Sequence, residues 1–430
     1  MNAEERVNLI REVRLAGNCS NPIRIRGEMV NLSTGEVDVN SLHVSCKDRR
    51  AVICPSCSYT YKADAWILVS TGLLGGKGTP EEVRRHPRLF VTLTAPSFGA
   101  VHTITPLGNC VGQTKYANAE QTCRHGRNRT CRVRHVDDSP ELGRPLCPEC
   151  FDYEGAVLWN AHASRLWNNT VQSIRRTLAE AGGIRQQQLK SEAQVHYLKV
   201  AEMQRRGLIH FHAILRADGP WSVDADPPLW LSAEVLASVV TRVARTATAV
   251  GFDGRTIRWG ARFNIQDLGV TNGDTTKVPS YVAKYATKTT DGTRELARQF
   301  HSRRQIQHLI DDSHARTLAL TAWDLDLSAT WEPLHLRDHA HAFGFTGQLI
   351  TKSRGYSTTF AALRGARAIY MSSQNVGDAL EGTFHYEGRG YDDPRATELA
   401  ELFFSMDREL RIEGAEARRK ALADSSEPAS

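Results

Sequence analysis

The chain of 430 residues has no apolar run approaching the roughly 20 residues that a membrane-spanning helix needs, so none is expected. The opening stretch, MNAEERVNLIREV, is charged and lacks the apolar core of a secretory signal, and a cytoplasmic protein is expected. There is no complete phosphate-binding loop. In Gly72-Leu73-Leu74-Gly75-Gly76-Lys77-Gly78-Thr79 the spacing before Gly76-Lys77 is one residue short, and Gly78 stands where Ser or Thr is required. The stretch is therefore a turn, and no ATPase is expected. No internal repeat is found. Neither sign of charge dominates: 54 Lys and Arg stand against 48 Asp and Glu, a formal +6. That balance admits a polyanionic partner without requiring one.

What is present is an ordinary globular composition, 41% hydrophobic and 24% charged, long enough for two or three domains. Composition divides the chain serially. Residues 1–85 form a cysteine-bearing, turn-rich module; residues 86–292 carry the main motifs, with a polar, basic insert at about 105–155. A basic and aromatic region follows at 293–412, and residues 413–430 form a flexible, charged tail. Leu89 to Thr94 reads as a strand. Ala156 to Ala181 keeps helical spacing and stops at Gly182-Gly183. Val195–Met203 and Leu208–Leu215 read as a hairpin turning at Gln204-Arg205-Arg206-Gly207. Ser232 is suited to cap a helix running to about Val250. Pro279 opens another helix through about Lys288, and residues 293–311 are expected to be helical.

His210-Phe211-His212 lies in the second hairpin strand. Alternation puts both imidazoles on one face, and Glu202 on the partner strand falls opposite or diagonal to His210. Two imidazoles and a carboxylate suit Mn²⁺ or Mg²⁺ with positions open to phosphate oxygens; the alternative is a structural pair beside a solvated glutamate. In Tyr281-Val282-Ala283-Lys284-Tyr285-Ala286-Thr287-Lys288 the tyrosines are four apart, as are the lysines, so each pair shares a helical face. A phenol becomes an effective nucleophile toward phosphate when a cation and a nearby ammonium offset the developing charge. Tyr281 and Tyr285 are candidate nucleophiles, and Lys284 and Lys288 candidate helpers; the alternative is an amphipathic helix with snorkelling lysines.

Nine cysteines in a reducing compartment point to metal ligation or free thiols rather than disulfides. Cys54-Pro55-Ser56-Cys57 and Cys147-Pro148-Glu149-Cys150 each supply half of a structural Zn²⁺ site. Cys46 and Cys19 would complete the first. Cys123 and Cys131 would complete the second, with His125 and His135 as competitors; one site shared by both pairs is the other arrangement. Arg124, Arg127, Arg129, Arg132 and Arg134 crowd the segment before His135 and suit phosphate contacts, or form a solvated loop. His335, His339 and His341 cluster, more as a surface or structural group than as a metal site. Trp331, Phe343, Phe345 and Tyr356 near Lys352 and Arg354 would stack single-stranded bases or form a small core.

The order of these motifs resembles the HUH endonuclease superfamily. Phe90-Val91-Thr92-Leu93-Thr94 comes first, then His-hydrophobic-His, then the tyrosine helix. A closer similarity is to the RepSA-type replication initiators of actinobacterial plasmids and integrative conjugative elements. It is carried by Phe90–Gly99, Pro145–Cys150, Arg206–His212, Tyr281–Lys288 and Thr351–Phe360, in that order and over most of the chain. The resemblance implies an α+β fold with an antiparallel sheet presenting the histidines. The tyrosine helix would cross that sheet, the Phe90–Thr94 strand would sit centrally beside the hairpin, and small zinc modules would flank it. It implies His210, His212 and Glu202 as metal ligands. Tyr281, ahead of Tyr285, would be the nucleophile in a site-specific single-strand nick that leaves a 5′-phosphotyrosine link. Single-stranded and duplex origin DNA would be the partner. Host helicase and polymerase would be needed, since no ATPase is expected. Two other functions compete: a non-catalytic zinc-containing DNA-binding regulator, and a relaxase or transposase using the same chemistry. The order of motifs disfavours the latter, because relaxases usually place the nucleophile before the histidines.

Overall fold

The computed structural model describes residues 3–31, 34–104, 122–131, 133–221, 223, 225–269, 298–374 and 380–425. The tyrosine segment Tyr281–Lys288 with its expected helix, together with Cys110 and Arg132, lies outside the described residues. In chain order the elements begin with α1 (Ala3–Leu15), β1 (Ile23–Asn31), β2 (Val37–Val44), α2 (Pro55–Leu74) and β3 (Arg88–Thr94). Next come α3 (Tyr153–Ala181), α4 (Leu189–Glu192), β4 (Gln194–Met203), β5 (Ile209–Asp218), α5 (Ala233–Thr246), β6 (Thr248–Val250), β7 (Thr256–Arg258) and β8 (Phe263–Asp267). The remainder are α6 (Arg303–Leu309), α7 (Ser313–Leu325), β9 (Ile350–Lys352), α8 (Phe360–Gln374), β10 (Leu380–Arg389) and α9 (Pro394–Ser425). The protein is α+β, with every strand pairing antiparallel. No helix among the described residues is long and apolar enough to cross a membrane.

The described chain divides into two compact units. One contains residues 3–65 and 360–425, the other residues 66–269 and 298–359, and the division falls within α2. Composition suggests serial boundaries at 85, 292 and 412, whereas the contacts join the two ends of the chain. In the first unit β1 is the middle strand of a three-stranded sheet, between β10 and β2. Leu9 and Val13 of α1 pack on Ala396 and Ala400 of α9. The first 85 residues are thus more regular than their glycines and cysteines suggest. α9 also runs well past Glu413, where composition suggests a flexible tail; Ala, Glu and Arg, which dominate there, are all good helix formers.

The second unit is built on a five-stranded sheet in the order β8-β3-β5-β4-β9, so β5 is central and β3 lies beside it. One face is covered by α3. Leu89, Val91 and Leu93 of β3 and Phe211, Ala213 and Leu215 of β5 share a buried cluster with Trp159, Leu166, Trp167 and Ile174. The helix begins where Asp152 accepts the Gly155 N–H at 2.8 Å and ends at Gly182-Gly183, with Gly183 at φ +66°. Ser232 caps α5 by accepting the Val235 N–H at 3.3 Å. Of the expected helix over 293–311, the described part is helical only at Arg303–Leu309.

Candidate functional site

The hairpin β4–β5 turns through Gln204-Arg205-Arg206-Gly207, with Gly207 at φ +74° and the Gln204 N–H donating to Leu208 O at 2.9 Å. Arg206 pins the turn by donating to the Ala95 and Pro96 carbonyls at 3.1 and 3.2 Å. This turn fixes a register in which Glu202 pairs with His210 and Val200 with His212. Across the other edge of β5, Thr94 pairs with His210 and Thr92 with His212. Phe211, between the histidines, points into the core under α3, so both imidazoles stand on the opposite face.

On that face the His212 Nε2 lies 2.9 Å from Glu202 Oε2, and its Nδ1 lies 3.2 Å from Thr92 Oγ1. His210 Nδ1 is 2.8 Å from the Gln204 amide nitrogen. The two imidazole centres are 4.6 Å apart, and Phe90 stacks on His212 at 5.8 Å. Glu202 and His212 are buried, His210 less so. One ligand atom from each of Glu202, His210 and His212 falls within a 4.8 Å span, so the three could hold one metal ion.

The cysteines form two further groups. Cys19, Cys46, Cys54 and Cys57 meet in the first unit, with Cys54 and Cys57 sulfurs 3.6 and 3.7 Å from that of Cys19. A disulfide would bring sulfurs to about 2.0 Å, whereas thiolates at about 2.3 Å from one tetrahedral zinc stand roughly 3.8 Å apart. The spacing fits zinc. Contacts among the four hold the Cys54 and Cys46 thiols below their ordinary range and push those of Cys19 and Cys57 up, so the group shares its protons unevenly. The second group joins Cys123, His125, Cys147 and Cys150 in the second unit, the His125 Nδ1 lying 3.5 Å from Cys147 and 3.3 Å from Cys150. His125 therefore takes the position for which Cys131 was the first candidate. Cys131 instead meets His102 and His135. The two Cys-x-x-Cys pairs do not share a site.

Other candidates fare differently. Trp331, Phe343 and Phe345 are buried in the core of the second unit, and Tyr356 is wholly buried, so none is placed to stack bases. The Tyr356 hydroxyl donates to Val69 O at 3.4 Å, and its ring lies beside Arg216. His335, His339 and His341 form no ligand group among the described residues. Arg124, Arg127, Arg129 and Arg134 are exposed, as a phosphate-contacting loop requires. Gly75, Gly76 and Gly78 all have positive φ in a tight turn after α2.

Sequence reasoning missed a buried polar network beside the sheet. Arg216 donates to both carboxylate oxygens of Asp218, at 2.7 and 2.9 Å, and to the carbonyls of Gly72, Gly355 and Tyr356. His86 Nδ1 lies 2.7 Å from the same carboxylate. An arginine and an aspartate two apart on a strand share a face, but that spacing alone does not reveal burial.

Fold and side chains together define an α+β protein whose central antiparallel sheet carries a two-histidine, one-carboxylate group, with separate cysteine groups that could hold a structural metal. The family model of the pSAM2 replication initiator protein, RepSA, matches residues 6–404. A replication initiator protein of Streptomyces ambofaciens is 37% identical over 387 residues, covering 84% of this chain and 80% of that protein. The chain belongs to the RepSA family of replication initiator proteins. No solved structure matches it.

Proposed function

We propose that this protein initiates replication by nicking one DNA strand at an origin through tyrosine attack. The Tyr281 phenolate oxygen bonds to the scissile phosphorus while the P–O3′ bond breaks. The 5′ phosphate is held as a tyrosine ester. The phenol gives up one proton and the departing 3′ oxygen takes one up, leaving a free 3′-OH to prime rolling-circle synthesis. The ester conserves the broken bond's energy, so strands can be rejoined without ATP. Tyr285 would serve a second transfer, and Lys284 and Lys288 would offset charge on the phosphate.

The observation that carries this reading is the convergence of Glu202, His210 and His212 on one face of the paired strands β4 and β5. The donor set suits Mn²⁺ or Mg²⁺, which would polarise the scissile phosphate. Thr92 Oγ1 is suited to accept a hydrogen bond from His212 Nδ1–H, leaving Nε2 for the ion. Gln204 Oε1 accepts from Arg206 Nε at 2.9 Å while its nitrogen faces His210 Nδ1, so ligation by His210 through Nε2 requires the Gln204 amide to turn and release Arg206. The cysteine groups would hold Zn²⁺ and keep their segments rigid, and the exposed arginines would follow the phosphate backbone. Unwinding and synthesis would fall to a host helicase and polymerase.

The test is a nicking assay with single-stranded oligonucleotides tiling the element's own origin, in Mn²⁺ or Mg²⁺, with covalent adducts resolved on denaturing gels. A metal-dependent adduct is expected for the parent and for at least one of Tyr281→Phe and Tyr285→Phe. It should vanish in the double variant and in His210→Ala. Specific binding without an adduct under either metal would instead mark a non-catalytic DNA-binding regulator.

A further inference from the structure

The segment bearing the arginines is held by more than the Cys123–Cys150 group. His102 lies on a ribbon in which its N–H donates to Arg144 O at 2.9 Å, its carbonyl accepts from Gly143 N at 3.0 Å, and Val101 bridges Pro145. Cys131 and His135 lie at the far end of the arginine segment. His102 Nδ1 is 3.1 Å from His135 Nε2, and Cys131 Sγ is 3.5 Å from the same nitrogen. The two imidazole planes stand at 86°, so their nitrogens converge edge-on instead of stacking.

We propose that His102, Cys131 and His135 form a third zinc site, distinct from both cysteine groups. Nitrogens at about 2.05 Å and sulfur at about 2.3 Å from one tetrahedral zinc stand roughly 3.3 Å (N to N) and 3.6 Å (N to S) apart, close to the spacings seen. Two further features match a ligand set. The Val133 N–H points at Cys131 Sγ from 3.4 Å, the same offset and distance at which the Asp48 N–H meets Cys46 in the four-cysteine group. Glu141 lies near the other His135 nitrogen, Nδ1 to Oε2 3.8 Å, an ion-pair separation longer than a hydrogen bond, on the side where a carboxylate would face a metal-bound imidazole. His102 and Cys131 line an open cavity of about 690 Å³, which gives a fourth ligand or water access to the ion. The site would clamp Arg127, Arg129 and Arg134 to the ribbon that leads from β3.

Zinc per chain, counted by native mass spectrometry after dialysis against metal-free buffer, tests this. His102→Ala and Cys131→Ser should each hold one zinc ion fewer than the parent, and Cys131→His should hold the parent's number. An unchanged count in His102→Ala or Cys131→Ser overturns the site. Should Cys131→Ser lose its fold, Cys131→His carries the test: it must lose one zinc ion when His102→Ala is added, and a count that stays the same overturns the proposal.

Discussion

Lys199 is buried on the α3 side of the sheet, its ammonium 4.2 Å from the centre of the Phe211 ring, and burial pushes it down to about 8. An unfolded lysine titrates near about 10.4. Below pH 8 both states are protonated and the folded state bears the whole cost of burying the charge. Between the two values the unfolded chain holds a proton the folded chain has released, so stability rises with pH, and above both the cost is gone. Lys199→Met should therefore stabilise the protein at pH 7 by on the order of 3 kcal/mol. The gain should shrink toward zero near pH 10.5 in denaturant titrations. Asp218 behaves in the opposite sense. Burial works against its charge, but His86 and then Arg216 hold the carboxyl below its usual range. Its contribution is present above the unfolded value and is lost as pH falls through the folded one. Asp218→Ala strands a buried guanidinium and should cost about 3–5 kcal/mol by equilibrium unfolding at pH 7.

At the scale of elements, the hairpin β4–β5 and its neighbour β3 act together, because no single strand assembles the Glu202–His210–His212 group. Glu202 comes from β4, the histidines from β5, and Thr92 reaches His212 from β3. If a metal binds there, Thr92→Val should weaken Mn²⁺ binding about 10- to 100-fold by calorimetry while leaving the fold intact. Equal affinity would show that Thr92 does not orient the ring. Gly207 permits the turn: its φ is positive, and an added Cβ would collide with Leu318. Removing the α3 cap with Asp152→Ala should cost about 1 kcal/mol of stability, read as a shift in urea midpoint without change in slope.

For the whole molecule, the described ligand groups are shared between the two units: the four-cysteine group in the first, the remaining three in the second. If the cysteine groups hold zinc, stripping it with a strong chelator should lower the melting temperature and release hydrogen-exchange protection around Cys19–Cys57 and around Cys123–Cys150. Protection in the β3–β5 ladder should fall less, because α3 and the sheet bury a large apolar core independent of metal. Uniform loss across the molecule would mean that metal supports the whole fold.

Local chemistry was legible from the sequence because it is written at short range. Alternation along β5 put His210 and His212 on one face, a four-residue turn brought Glu202 opposite His210, and helical spacing with a glycine stop marked α3. Two Cys-x-x-Cys pairs marked groups that could hold a metal. The order of these motifs along the chain was enough to point to the family. Tertiary structure decided which distant segments close on one another. It set His125 rather than Cys131 beside Cys147 and Cys150, and brought His102 to Cys131 and His135. It also buried Tyr356 against Arg216 instead of exposing it to bases, and paired β1 with β10 across most of the chain's length. Periodicity reports only which face a side chain occupies. What covers that face depends on surfaces contributed by residues far away in sequence, and no local pattern encodes their meeting.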